Sequence, residues 1–216
     1  MKLEELTDPV HGSTPGLGAH WDATYLRRGA SVSWFQSEPA VSLDLIAETG
    51  ISPEAAVIDI GGGASSLVDR LVYRGFKDVS VLDISSVAID EARRRLPPDA
   101  PVAWVVQDVL SWQPPRLYGL WHDRAVFHFL VSPSEQARYR RILASALAPG
   151  GFVVIGTFAA DGPESCSGLP VARYTEQDLA AVLGDGFTPV AFRREVHRTP
   201  VGGIQPFAWV VAKRAG

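Results

Sequence analysis

Four aspartates stand in or just after short apolar runs: Asp59 in Val57-Ile58-Asp59-Ile60, Asp83 after Val79–Leu82, Asp108 after Val102–Val106, and Asp123 after Leu117–Trp121. Apolar runs of this length, separated by amphipathic stretches, read as buried strands of an α/β sheet. Open sheets of that kind bind ligands beyond the carboxyl ends of their strands, so four carboxylates there define one candidate edge. Gly61-Gly62-Gly63-Ala64-Ser65 follows the first run. Glycines at a strand-to-helix turn permit tight bending and close approach of a ligand to the backbone. Asp83, 24 residues beyond Asp59, is placed to accept both hydroxyls of a ribose, and Asp108 to accept from an adenine amino group. Each acid alone is as well explained as a cap or turn residue. Their common register is what argues for a site.

The elements that must position these residues follow from periodicity. Strands are expected at Ala55–Ile60, Val79–Leu82, Val102–Val106, Leu117–Trp121 and Phe152–Thr157. Between the first three lie helical patterns carrying Leu67, Val68 and Leu71, then Ala88, Ile89, Ala92 and Leu96. Ser132-Pro133-Ser134-Glu135 is a capping box with proline at the first helical position. The helix it opens is stopped by Pro149-Gly150-Gly151, and Thr175 starts another. Strands alternating with helices imply a parallel sheet with right-handed crossovers. Phe187–His197 and Phe207–Lys213 have no helix between them and are expected to pair as a hairpin that enters the sheet antiparallel. His197, Thr199 and Gln205 flank its turn; rimming a pocket and capping the turn are both open to them.

Composition removes several classes of function. A net charge of −4 argues against a nucleic-acid surface, and the arginine groups 93–95, 138–141 and 193–194 read as solvated faces. A single cysteine, Cys166, excludes an internal disulfide and a multi-thiolate zinc site. The histidines form no ligand pattern, His122 and His128 being six apart, so no metal site is expected. No apolar run approaches the roughly 20 residues needed to span a bilayer, and MKLEELTDPVHG lacks a signal-peptide core. The expectation is a cytoplasmic protein, monomer or homodimer, with no membrane or nucleic-acid partner. One domain is expected over 1–216, with an N-terminal segment 1–48 and a core 49–216. The first 20 residues read as loose. His20 to about Glu48 reads as helical around a turn at Gly29, with unusual aromatic weight in Trp21, Tyr25, Trp34 and Phe35.

With Asp59-Ile-Gly61-Gly-Gly63, Val81-Leu82-Asp83-Ile84-Ser85, Gln107-Asp108-Val109 and Leu147-Ala-Pro149-Gly150-Gly151, the chain resembles the class I S-adenosylmethionine-dependent methyltransferases over roughly residues 20–213. Ser65 departs from the third glycine of many members. His20-Trp21-Asp22 with Tyr25, Gly29 and Ser33-Trp34-Phe35-Gln36 is similar to the aromatic lid of the thiopurine and tellurite-resistance branch. The resemblance implies a Rossmann-like, mostly parallel seven-stranded sheet with a C-terminal antiparallel hairpin, helices on both faces and an N-terminal helical lid. It implies S-adenosylmethionine as cofactor, with S-adenosylhomocysteine as product. The cofactor residues would be Trp21, Trp34, Asp59, Gly61, Gly63, Ala64, Asp83, Ile84, Asp108, Val109, Asp123 and Arg124. The segment after the fourth strand would pass the methyl donor. That makes Phe127 and His128 acceptor-site candidates, His128 either as a base or as a packed histidine bonded to a backbone carbonyl; His122 reads as structural. The turn-rich loop Phe158–Pro170, with Cys166, and Arg173 beyond it, would shape the rest of the acceptor site. The expected reaction is methyl transfer to a heteroatom of a small molecule, with a thiol or other soft nucleophile favoured because no base constellation stands out. Three alternatives remain at this point: a protein-lysine N-methyltransferase, a non-catalytic S-adenosylmethionine-binding module, and a nicotinamide-dependent oxidoreductase. The last would want a glycine where Ser66 stands.

Overall fold

The computed structural model describes residues 16–216; the expectation of a loose leader lies, for residues 1–15, outside them. Strands β1 (Val57–Ile60), β2 (Val79–Asp83), β3 (Val102–Val106), β4 (Tyr118–Arg124), β5 (Leu147–Phe158), β8 (Phe187–Arg198) and β9 (Ile204–Arg214) form one sheet in the order β3-β2-β1-β4-β5-β9-β8. The first five run parallel; β9 is antiparallel to β5, and β8 to β9. Successive apolar residues of a strand serve opposite faces. Ile58, Trp121, Val153 and Val210 therefore pack with Tyr139, Leu143 and Leu179 of α5 (Pro133–Ala146) and α6 (Glu176–Leu183). Val57, Leu120, Val154 and Val211 pack with α2 (Ala40–Glu48), α3 (Leu67–Tyr73) and α4 (Ser86–Arg95). This two-sided cover is why β1 and β2 are buried at every position.

The N-terminal segment is less helical than its pattern suggests. Helix α1 (Leu17–Arg28) ends at Gly29, whose φ is +46°, a 3-10 turn covers Gly29–Ser31, and the chain then runs irregularly to α2. Strand β4 continues three residues past its expected end, through His122, Asp123 and Arg124. His122 and Asp123 look like loop in the sequence, but inside the protein they are paired. The fifth strand likewise begins earlier, at Leu147, and absorbs Pro149-Gly150-Gly151. A Cβ at Gly151 would meet the carbonyl oxygens of Ala148 and Gly119, each 2.9 Å away. The long loop after β5 holds a two-residue ladder, β6 (Ser165–Cys166) with β7 (Leu169–Pro170). Among the described residues no helix is long and apolar enough to cross a membrane.

Register aligns the ligand edge. Ile60 pairs with Leu82 and with Asp123, and Asp83 with Val106, so Gly61, Asp83, Gln107 and Arg124 emerge side by side. A buried hydrogen-bond chain fixes the end of β4: Trp121 Nε1 donates to Tyr139 Oη at 2.8 Å, and Tyr139 Oη donates to Asp123. Tyr139→Phe leaves an indole N–H and a carboxylate lone pair without partners in the core. Hydrogen bonds to charged groups are worth about 1.5–3 kcal/mol, and urea unfolding should show a loss of that size. A loss under about 0.5 kcal/mol would contradict the role given to this chain.

Candidate active site

A cavity of ≈ 510 Å³ opens along this edge beneath α1. Asp108, just past β3, lines it and accepts Leu110 N at 2.8 Å on Oδ1. Asp83, 6 % exposed, ends β2 and accepts Ser85 N at 2.8 Å on Oδ1. Burial pushes its carboxyl up to about 7, against the pull of the Ser85 amide and with added repulsion from Asp59 and Asp22. Ile84, Val109 and Leu110 give apolar wall between and around these acids.

The glycine turn has no room for side chains. Gly61 has φ +65°, and a Cβ there would lie 2.0 Å from Val126 Cγ2; Gly63 has φ +38°, and its Cβ would lie 2.6 Å from Asp83 Oδ2. Ser65, in place of a third glycine, donates its amide to Gly62 O at 2.7 Å and accepts Leu67 N at 3.1 Å on its hydroxyl. It starts α3 rather than disturbing the turn. An adenosine-bearing ligand fits this geometry: a buried carboxylate on the cavity wall for ribose hydroxyls, a second acid beyond it, and a backbone turn stripped of Cβ atoms.

The segment from α1 to Gln36 is fastened over the cavity from two sides. Asp22 Oδ1 accepts Ser85 Oγ at 2.6 Å and Val87 N at 3.2 Å, adding a carboxylate at the N-terminus of α4. On the other side Gln36 Nε2 donates to Glu195 Oε1 at 2.7 Å, His197 Nε2 contacts Ser33 O at 2.7 Å, and Gln205 Nε2 donates to Ser33 Oγ at 3.2 Å. Thr199 does cap the hairpin turn, accepting Gly203 N at 2.9 Å. Trp21 and Trp34 meet edge-on at 5.7 Å, and Trp21 meets Phe129 at 5.2 Å.

The cavity wall includes Trp21, Trp34, Gly61, Asp83, Ile84, Asp108, Val109, Arg124, Phe158 and Cys166 of the residues expected at a site. Others lie elsewhere. Asp59 and Ala64 border a separate space of ≈ 40 Å³ behind the glycine turn, and Gly63 contributes only its tight turn beside Asp83. Asp59 Oδ1 is held by His122 Nδ1 at 2.7 Å, and His122 Nε2 by Ser42 Oγ at 2.9 Å, so His122 is structural, as read. Asp123 is fully buried; beyond Tyr139 it accepts Val126 N at 2.9 Å and Phe127 N at 3.2 Å, and burial pushes it up to about 6. Phe127 faces the core, 4.9 Å from the Tyr139 ring. His128 is also fully buried, between Phe129 at 4.4 Å and Phe158 at 4.7 Å. Its Nδ1 accepts the Phe158 amide at 3.4 Å, rather than donating to a carbonyl. Burial, with repulsion from Arg124, drives its pKa down to about 3. Arg173 turns away to Gly162 O at 2.9 Å and Glu164 at 3.0 Å. These residues turn inward because Ala125 takes φ +71° and a 3-10 turn over Phe127–Phe129 follows. Wall residues that the sequence reading did not single out for the site include Leu17, Phe129, Leu169 and Pro170. Leu169 and Pro170 sit in the turn-rich loop that did signal itself.

Residues 57–151 match the family described as Methyltransferase domain. Nodulation protein S of Rhizobium tropici is 30 % identical over 105 residues, 49 % of this chain and 44 % of that protein. Trans-aconitate 2-methyltransferase of Methylobacterium nodulans is 34 % identical over 139 residues, 63 % of this chain and 49 % of that protein. The chain spans about half the length of the curated relatives it matches. A solved Burkholderia thailandensis 1,6-didemethyltoxoflavin-N1-methyltransferase, with bound 1,6-didemethyltoxoflavin and S-adenosylhomocysteine, superposes with a TM-score of 0.69 at 21 % identity, covering 97 % of this chain and 94 % of that one. By motif, sheet order and terminal hairpin, the chain resembles the class I S-adenosylmethionine-dependent methyltransferases, with the family match confined to residues 57–151.

The raised pKa of Asp83 has a consequence for the ligand-free protein. Its ordinary value is about 3.9, so the neutral form favours folding; that contribution is complete below about pH 4 and is lost as pH rises through about 7. Between pH 5 and 8, wild-type Tm should fall relative to that of Asp83→Asn, which carries no charge to desolvate. Parallel Tm profiles would contradict the assignment.

Proposed function

We propose that the chain transfers the methyl group of S-adenosylmethionine to a heteroatom of a small molecule that arrives already nucleophilic. When bound, the cofactor supplies a methyl activated by a sulfonium. The residues supply position: Asp83 takes the ribose hydroxyls, Asp108 the adenine edge, and Gly61–Gly63 lets the amino-acid end lie against the backbone. Trp21 and Trp34, carried by the lid segment 1–48 over the core 49–216, close the methyl off from water.

One observation carries the acceptor reading. Among the described residues, the acceptor half of the cavity, around Phe129, Phe158, Cys166 and Leu169, offers no group suited to remove a proton near neutral pH. His128 is sealed behind the wall with its pKa near 3, and burial pushes the Cys166 thiol up to about 11. A base works best with a pKa close to the working pH. An acceptor that is already ionised, such as a thiolate or a carboxylate, needs only alignment. A lysine ammonium would need deprotonation first, which weighs against the protein-lysine alternative. The matched relative named for trans-aconitate is consistent with an ionised oxygen acceptor; the thiol reading rests on the lid resemblance.

Calorimetry should show S-adenosylhomocysteine binding to the wild type, with affinity falling about tenfold or more in Asp83→Ala as hydrogen bonds to a charged group are lost. Labelled donor should methylate thiols and carboxylic acids that are ionised at pH 7.5 in preference to simple amines. Binding of NAD in place of S-adenosylhomocysteine, or faster transfer to amines than to acids and thiols, would contradict the reading.

A further inference from the structure

Arg124 is a buried cation with unused donors. Its side chain is 12 % exposed, and it lines the cavity at the end of β4. One nitrogen, Nη1, donates to Trp34 O at 2.8 Å. Its Nε and Nη2 are buried and have no hydrogen-bond partner among the described residues. The nearest carboxylate, Glu195, lies 4.0 Å from Nη2, and both its oxygens are taken, Oε1 by Gln36 and Oε2 by Trp209 Nε1 at 2.9 Å. The guanidinium lies 4.5 Å over the ring of Phe207. Burial pulls its pKa down, opposed by Glu195. A buried charge whose hydrogen bonds are unmade is costly even beside a carboxylate 4.0 Å away, and the Phe207 ring offers only a small return. The other cation on the cavity wall, Arg138, is exposed.

Position separates Arg124 from the adenosine end. Sheet order places β3, β2, β1 and β4 side by side, so Asp108 and Arg124 stand three strand spacings apart, roughly 14 Å. Arg124 emerges next to Gly61, and its charge acts on Cys166 and on His128 across the cavity wall.

Resting on the methyltransferase reading, we propose that Arg124 binds a carboxylate of the acceptor, and that the acceptor is a small carboxylic acid with a planar apolar body seated among Trp21, Trp34, Phe129 and Phe158. This moves Arg124 from the cofactor residues expected in the sequence to the acceptor. Seating the acid turns the guanidinium so that Nη2, sealed in the ligand-free arrangement, donates to one carboxylate oxygen and leaves the other to react. That oxygen's lone pair forms the new O–C bond as the C–S bond breaks with its electron pair remaining on sulfur. Anion and sulfonium become a neutral methyl ester and a neutral thioether. No proton is released, so the absence of a base costs nothing.

The test uses the full chain saturated with S-adenosylhomocysteine, titrated with benzoate, cinnamate and fumarate and with their amides. At least one acid should bind tenfold or more tightly than its amide and, with labelled donor, yield a methyl ester. Arg124→Gln should abolish that preference and Arg124→Lys restore part of it, with S-adenosylhomocysteine affinity within about threefold of wild type in both. Because the wild-type comparison of acid with amide needs no variant, a misfolded Arg124→Gln leaves the test intact. Equal binding of every acid and its amide would overturn the proposal. So would a tenfold loss of S-adenosylhomocysteine affinity in Arg124→Gln with unchanged affinity for 5′-methylthioadenosine, which lacks the amino-acid end; the guanidinium would then hold the cofactor's carboxylate. Failure of the wild type to bind S-adenosylhomocysteine would instead sink the methyltransferase reading, and this inference with it.

Discussion

The site depends on the carboxylate of Asp123, which gathers the Tyr139 hydroxyl and the amides of Val126 and Phe127 into one buried knot. That knot sets how the chain leaves β4. Arg124 is left facing the cavity, Val126 is laid against Gly61, and Phe127 and His128 are rolled into the core. Interiors are close-packed, so these placements are coupled. A Cβ at Gly61 would collide with Val126, and a Val126 displaced to relieve it would pull on the amide that Asp123 holds. The glycine turn and the end of β4 are two halves of one constraint.

Electrostatics divides the cavity into two ends. Toward β2 and β3, acids dominate, and Asp83 is raised because burial, Asp59 and Asp22 all disfavour its charge. Toward β5 and β9, the buried group is a guanidinium short of hydrogen bonds. Hydroxyl donors suit the first end and an anion suits the second. The N-terminal segment ties them together: Asp22 reaches the N-terminus of α4, and the carbonyl of Trp34 receives Arg124. The segment from Asp22 to Trp34 thereby touches both ends of the site.

Much of this was legible in the sequence because it is local. The strand ends, the glycine turn, Asp83, Asp108 and the capping box at Ser132 each follow from a short pattern of residue types, and the antiparallel entry of the hairpin follows from the missing helix before β9. What escaped was set by distant partners. The end of β4 looked like loop because His122 and Asp123 are polar, yet His122 pairs with Asp59 and Asp123 with Tyr139. The inward turn of Phe127 and His128 depends on a positive φ at Ala125, a conformation that alanine does not advertise. The lid announced its aromatic residues but not its anchors, since Glu195 and His197 come from the far end of the chain.

The central claim is that Asp83 meets the hydroxyls of an adenosine cofactor as an anion, having been held near neutrality by burial beforehand. Calorimetric binding of S-adenosylhomocysteine at pH 6.5, in buffers of differing ionisation enthalpy, reads this directly as proton exchange. With Asp83 raised to about 7 in the free protein, binding should release roughly half to three-quarters of a proton, and Asp83→Asn should release close to none. Binding without proton release, or with proton uptake, would contradict the account.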